Sequence, residues 1–212
     1  STRRIQGKLP QRPKPPPQCH KDPLRRTEFS WLEWDAGSMD ALELIRSLTA
    51  RPAVRSFTDR SVPTEMLEQI ADTARWTGSA RNRQPWRFLA VRDKTRLEKI
   101  SALGAAAQHI ATAPCALILL SADNAFQDTQ FDLGKVSKTA ILAATTLGLG
   151  SCLGTIYPDD NVEQAAQLLQ VGPGWLPHHA ISIGYPGTPM TGIRAIASGR
   201  LPVAELLSLH RP

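Results

Sequence analysis

A domain that interleaves helices with short buried strands is predicted by three observations. Some segments space apolar residues along one helical face, as Met66, Leu67, Ile70 and Ala74 do. Others are brief continuous apolar runs between Pro, Gly or polar residues, of which Cys115-Ala-Leu-Ile-Leu-Leu120 is the clearest. Finally, 212 residues with 42% hydrophobic and 21% charged content suit a single core of ordinary size.

The elements follow in chain order. Residues 1–38 contain Pro15-Pro-Pro17 and eight Lys/Arg against four Asp/Glu, with no apolar periodicity. Too little surface is available there to offset ordering entropy, so this stretch is expected to be a flexible Pro/Arg-rich extension. Within it, Trp31, Leu32 and Trp34 form an apolar cluster able to dock on a neighbouring surface. Residues 39–212 make up the domain itself. Met39 to Leu48 reads as a helix that closes at Arg51-Pro52, which leaves Arg51 and Arg55 on irregular backbone. Thr64 to Trp76 is a second helix, started by Pro63 and stopped by Gly78. Ser79 to Gln84 must be a loop, because Pro85 forces its predecessor out of the helical region and supplies no backbone donor. Its amides are therefore free to meet a ligand.

Phe88 to Val91 then reads as a short strand, and Thr95–Leu103 and Ala105–Ala111 as two short helices. Cys115 to Leu120 has the character of a central strand. Gln130 to Leu147 is the longest helix, apolar nearly all round from Thr139 onward. It is thus buried on most sides or set at a subunit interface. A strand at Cys152–Ile156, a helix at Val162–Leu169, a strand at His179–Ile183 and a Gly/Pro-punctuated tail over 184–199 complete the chain. The glycines from Gly148 to Gly154 are not a dinucleotide fingerprint, since they follow a helix and lead into a strand.

Composition excludes several functions. The net charge is +6, but four of those charges lie in residues 1–38, and no basic helix with interleaved aromatics follows, which argues against a nucleic-acid partner. No run is long and apolar enough for a membrane span or a secretory signal. Cys19, Cys115 and Cys152 lack disulfide or metal spacing, and the last two lie in apolar runs. Reduced thiols and a cytoplasmic location are expected, with no metal.

Two stretches carry the chemistry. Arg51-Pro-Ala-Val-Arg55-Ser-Phe57 places two guanidinium groups four positions apart, and Ser79-Ala-Arg-Asn-Arg-Gln-Pro-Trp86 combines small residues with two amides. They read as two walls of one cofactor site; the competing reading makes Arg51 and Arg55 solvated surface charges and Trp86 part of the core. Taken with Asp132-x-Gly134, Gly148-Leu-Gly150-Ser-Cys152, Ile183-Gly-Tyr-Pro186 and Gly199-Arg200-Leu-Pro202, the chain from about Met39 to Leu206 resembles the flavin-dependent nitroreductase family.

The resemblance implies an α+β, three-layer fold whose mixed, mainly antiparallel sheet is flanked by helices. It also implies an obligate homodimer with one FMN in each of two interface sites. Arg51, Arg55 and Arg200 would surround the FMN phosphate, with Ala53 in the same segment. Ser79, Ala80, Asn82 and Gln84 would line the ribityl and pyrimidine side, and the backbone of Gly154, Thr155 and Ile156 would lie beside the flavin N5. Gln108 would reach the ring from the partner subunit. Further implications are NADH or NADPH as reductant, hydride passage through the flavin to a nitroaromatic, quinone or similar acceptor, and ping-pong order. No side chain is nominated as catalytic, because the cofactor carries the chemistry. The alternatives are a flavin-binding or flavin-sequestering protein without turnover, and a flavin-consuming relative. Two features depart from the family pattern. Pro52 and Ala53 stand where an Arg or His and then a Ser are usual, which removes a hydroxyl and a donor; Arg81 and Arg83 either compensate or face the substrate. The stretch from Asp93 to Asp132 is also short, implying a more open pocket.

Overall fold

The computed structural model describes residues 39–124, 126–188 and 199–210. Expectations for residues 1–38 and 189–198 lie outside the described residues. The chain divides into two compact units, 1–43 and 44–212. Of the first, only the beginning of α1 (Met39–Thr49) is described. Its apolar stripe is present as expected, yet Leu42, Leu44 and Ile45 are all exposed.

The second unit is built on a four-stranded sheet: β1 (Trp86–Val91), β2 (Cys115–Ala122), β3 (Gly150–Thr155) and β4 (Trp175–Gly184), in the order β1-β2-β4-β3. Every pairing among the described residues is antiparallel. Strand alternation sends successive side chains to opposite faces, and each face carries its own core. On one, Trp86, Cys115, Leu117, Leu119, Ile181 and Ile183 pack with α2 (Thr64–Ala74) and α4 (Asp128–Thr146). On the other, Val91, Ala116, Ile118 and Ala180 pack with α3 (Lys94–Ser101) and α5 (Asp159–Leu169). This is the expected α+β arrangement, with helices on both faces of one sheet. A short α6 (Val203–Leu206) lies near the end of the described chain.

Two elements differ from the sequence reading. Ala105–Ala111 is not a helix; only a single 3₁₀ turn forms, at Gln108–Ile110. Alanine favours helix, but propensity is a weak prior that packing overrides. Gly104 is buried so closely against β3 that a Cβ there would lie 2.0 Å from the Thr155 carbonyl oxygen, and Ala107 is fully buried. The segment follows the sheet edge instead of its own axis. β4, in turn, begins four residues earlier than expected. Leu119 faces His179 while Ser121 faces Leu176, so Pro177 and His178 together oppose one residue of β2 in a β-bulge. A bulge is where a strand accepts a proline, so β4 continues through Pro177.

Candidate functional site

The segment after α1 lies along the outer edge of the sheet. The Val54 amide donates to the Ser151 carbonyl at 2.9 Å, the Thr58 amide to Tyr185 at 3.0 Å, and the Gly187 amide to Ser56 at 2.9 Å. Gly150 makes the approach possible, since a Cβ on it would fall 2.7 Å from Val54 Cβ. Thr112 ties the same segment to the 3₁₀ turn, its hydroxyl lying 3.3 Å from the Arg55 carbonyl and 3.0 Å from that of His109. The backbone from 54 to 58 is thereby pinned while the side chains of Arg55 and, three residues before that stretch, Arg51 are exposed. Among the described residues neither guanidinium has an ion pair or side-chain hydrogen bond. Pro52 and Ala53 are exposed and add no side-chain donor.

Gln108 belongs to this same group within one chain. Its amide nitrogen lies 3.5 Å from the Gly104 carbonyl, and a Cβ on Gly154 would sit 3.4 Å from Ala107 Cα and 3.3 Å from His109 Nε2. β3 is an edge strand, and the Ile156 amide already donates to His178 at 2.8 Å. By the alternation of an antiparallel ladder, Gly154 and Ile156 turn their backbone groups toward β4, while Ser151, Leu153 and Thr155 turn theirs outward. Within 154–156, the open-edge group is the outward amide of Thr155, since its carbonyl is covered by Gly104. Its hydroxyl lies 3.3 Å from His179 Nδ1, and the Ile156 side chain is buried in the core.

Behind this edge, His109 is buried, with Nδ1 2.8 Å from Ser182 Oγ; that hydroxyl donates to the Cys152 carbonyl at 3.2 Å. Burial, and then the charge of Arg55, hold the His109 pKa below its usual value, so the ring stays neutral at physiological pH. Cys115 and Cys152 are buried free thiols, as their apolar settings predict. Burial pushes the Cys115 thiol up to about 11 and moves Cys152 in the same direction.

The second stretch forms a separate group beside β1. Ala80–Asn82 is a single 3₁₀ turn, and Arg81, Asn82 and Gln84 all have left-handed backbone, with φ of 53°, 53° and 48°. For residues carrying a Cβ this conformation costs roughly 1–2 kcal/mol each. The loop's own polar groups oppose that cost, as expected. The Gln84 amide donates to Ser79 Oγ at 2.9 Å, and Gln84 Nε2 to Asn82 Oδ1 at 3.2 Å. The side-chain Nδ2 of Asn82 and Oε1 of Gln84 remain available for a ligand. The backbone amides of Ala80, Asn82, Arg83 and Gln84, expected to be free, are instead engaged by Asp132, Ser79, Ala80 and Ser79, because the turn closes on itself and onto α4.

Sequence reasoning missed what fastens the loop. Asp132, on the buried stripe of α4, accepts from the Ala80 amide at 2.9 Å through Oδ2 and from Lys135 Nζ at 2.9 Å through Oδ1. Burial alone would raise its pKa, but the Lys135 and Ala80 hydrogen bonds, helped by the charges of Lys135 and Arg83, outweigh it and hold the carboxyl ionised. One turn earlier, Asp128 pairs with Arg83, whose guanidinium also stacks on Phe126 at 4.4 Å. Arg83 is thus committed within the chain and Arg81 is exposed. The signal available in the sequence was a carboxylate at position 132, in helical register with Leu133, Val136 and Ala140; acids on such a stripe are paired or functional.

The expected site residues therefore fall into two groups. Arg51, Ala53, Arg55, Gln108, Gly154, Thr155 and Ile156 lie at the β3 edge, and Ser79, Ala80, Asn82 and Gln84 precede β1 at the opposite edge. Three interstrand steps separate these edges, roughly 14 Å. Arg200 is exposed and donates to its neighbour's Gly199 carbonyl at 2.8 Å; no described contact joins it to Arg51 or Arg55. Trp86 is a core residue, as the competing reading held.

The model of the Nitroreductase family matches residues 48–108. A protein of Methanothermobacter thermautotrophicus named as an NADH dehydrogenase/NAD(P)H nitroreductase is 30% identical over 154 residues, covering 71% of this chain and 81% of that protein. The FMN reductase [NAD(P)H] of Bacillus subtilis is 30% identical over 166 residues, 68% of this chain and 66% of that protein. Among solved structures, the Bacillus subtilis oxidoreductase YcnD superposes with a TM-score of 0.63 at 29% identity, over 76% of this chain and 70% of that one.

Proposed function

This chain belongs to the nitroreductase family, and from that premise we propose that it is an NAD(P)H-dependent FMN oxidoreductase whose flavin site is completed by a second copy of the chain. The observation that carries the reading is the pair of exposed, unpaired guanidinium groups of Arg51 and Arg55, the latter on a backbone pinned to the β3 edge. Such a donor set suits a phosphomonoester, which carries nearly two negative charges and three acceptor oxygens. Charge-assisted hydrogen bonds contribute about 1.5–3 kcal/mol each, so two of them supply much of the roughly 8 kcal/mol of a micromolar complex. Arg200 is a third candidate cation, supported by the sequence motif alone.

The two-group geometry supports the homodimer. One chain places its phosphate wall and its amide-rich loop at opposite sheet edges, so the loop at 79–84 serves the site of a second copy. When bound, FMN supplies the hydride chemistry between reduced nicotinamide and an electron-poor acceptor such as a nitroaromatic or quinone. The chain's own task is to orient and to exclude water. Arg51 and Arg55 fix the phosphate, Asn82 and Gln84 offer a donor and an acceptor to the polar edge of the ring, and Thr155 offers its outward backbone amide. Donor and acceptor share one face in turn, which gives ping-pong kinetics.

The visible spectrum of the purified protein tests the proposal. A yellow protein that NADPH or NADH bleaches without oxygen, and that a nitroaromatic or quinone restores, is the expected result. A protein that stays colourless in excess FMN overturns it. Pro52 and Ala53, which weaken the phosphate wall, favour one second reading, flavin binding without turnover; there the colour persists with both nicotinamides. Loss of flavin itself during aerobic turnover would mark a flavin-consuming relative.

A further inference from the structure

We infer that Asp132 is the positioning residue of the 79–84 loop, holding its left-handed backbone in the shape that presents Asn82 and Gln84 to the flavin. The inference rests on the reading of that loop as a wall of the flavin site. Three consecutive features of the geometry lead to it. First, the loop contains three residues with a Cβ and positive φ, Arg81, Asn82 and Gln84, a conformation that L-residues do not hold without outside support. Second, the Ser79 and Gln84 hydrogen bonds close the loop on itself but do not attach it to the body of the fold. Attachment comes from α4, where Asp132 Oδ2 accepts the Ala80 amide at 2.9 Å and Asp128, one helical turn earlier, takes Arg83.

Third, packing gives no reason for a carboxylate at this position. Asp132 is 1% exposed, on a stripe with Thr129, Leu133, Val136 and Ala140. An apolar side chain of similar size would fill that place without the desolvation cost of a buried charge. What an apolar side chain cannot do is accept the Ala80 N–H. Lys135 completes the device, its ammonium 2.9 Å from Oδ1, so the acceptor facing Ala80 is charged and its hydrogen bond stronger than a neutral one. Asp132 reaches the proposed site only from behind, at the Ala80 backbone amide, and has no contact with Asn82 or Gln84. It acts through Ala80, and Asp128 through Arg83, so that both ends of the turn are set by one helix.

Asp132→Leu and Asp132→Asn test this in the full chain, with two readouts. In the apoprotein, amide hydrogen exchange at Ala80 and Gln84 is expected to accelerate about tenfold or more in Asp132→Leu, while amides of β2 and β4 keep their protection. FMN titration, followed by quenching of its fluorescence, is expected to show a dissociation constant raised about tenfold, equivalent to about 1.4 kcal/mol. Asp132→Asn retains an acceptor oxygen and loses the charge, so it falls between wild type and Asp132→Leu on both readouts. Should Asp132→Leu fail to fold, Asp132→Asn and Asp128→Asn carry the same measurements. Unchanged exchange at Ala80 and unchanged FMN affinity in a folded variant overturn the inference, as does a loss of protection spread evenly over the whole sheet, which marks a merely structural role. If wild type binds no FMN, the flavin reading falls while the exchange comparison still decides whether Asp132 holds the loop.

Discussion

Arg55 shows how a side chain can be free while its backbone is not. Its carbonyl is held by Thr112 and its neighbour Val54 by Ser151, so the guanidinium projects from a fixed point. Arg55→Ala is expected to remove one charge-assisted contact, weakening FMN binding by about 1.5–3 kcal/mol, roughly ten- to a hundredfold, as an equilibrium titration of the apoprotein would show. Stability should change little, since nothing in the fold depends on that side chain. His109 behaves in the opposite way. Its folded pKa is depressed, by burial first and by Arg55 second, so the unfolded chain binds more protons than the native one below about pH 6.5. Stability is therefore expected to be full above that pH and to be lost as the pH falls toward the depressed folded value. Denaturant midpoints measured from pH 8 to pH 5 should show this slope in wild type and a shallower one in His109→Gln. Part of the slope remains because His179, shifted the same way by burial and by His178, titrates in the same window. Asp132 contributes at the other extreme. Its folded pKa is lowered, so its stabilisation holds above the ordinary Asp range, near pH 4, and disappears only in stronger acid.

At the level of elements, close approach decides what local preference cannot. The helix-like alanines at 105–107 become an irregular crossing because Gly104 lies against the Thr155 carbonyl. Gly104→Ala would place a Cβ 2.0 Å from that oxygen. A loss of about 3 kcal/mol, at the upper end of what overpacking costs, is expected in denaturant unfolding, with weaker FMN binding because Thr155 and Gln108 move together. Most elements were legible from the chain alone. Pro85 and Gly78 bound the loop, the run at Cys115–Leu120 gave β2, and the long apolar stretch before Leu147 gave α4, each by a rule that acts within a few residues. The bulge at Pro177 was not legible, because it depends on which residues of β2 lie opposite. Nor was the tie between Asp132 and Ala80, which spans 52 positions in the chain.

For the whole molecule, the proposed site draws on residues beside both edge strands of the sheet, and the dimer proposed to complete it can be tested. The exposed Phe131 on α4, 71% accessible in the single chain, is an apolar side chain on the surface of a helix that the sequence had marked as buried or interfacial. Phe131→Asp is expected to shift the protein from dimer to monomer in sedimentation velocity and to release FMN in parallel. A monomeric variant that keeps full FMN affinity would show that one chain suffices. Among the described residues no helix is long and apolar enough to cross a membrane.

By itself the sequence determined the order of helices and strands, the loop before Trp86, the two arginines proposed for the phosphate and the family. All of these follow from local sterics, apolar periodicity or short motifs. Only the tertiary structure decided that the two stretches adjoin the two edge strands of one sheet, that Arg83 pairs with Asp128, and that the buried Asp132 accepts the Ala80 amide. Those outcomes depend on strand register and helix packing, where residues far apart in the chain meet, and no short-range pattern encodes which partner each will find.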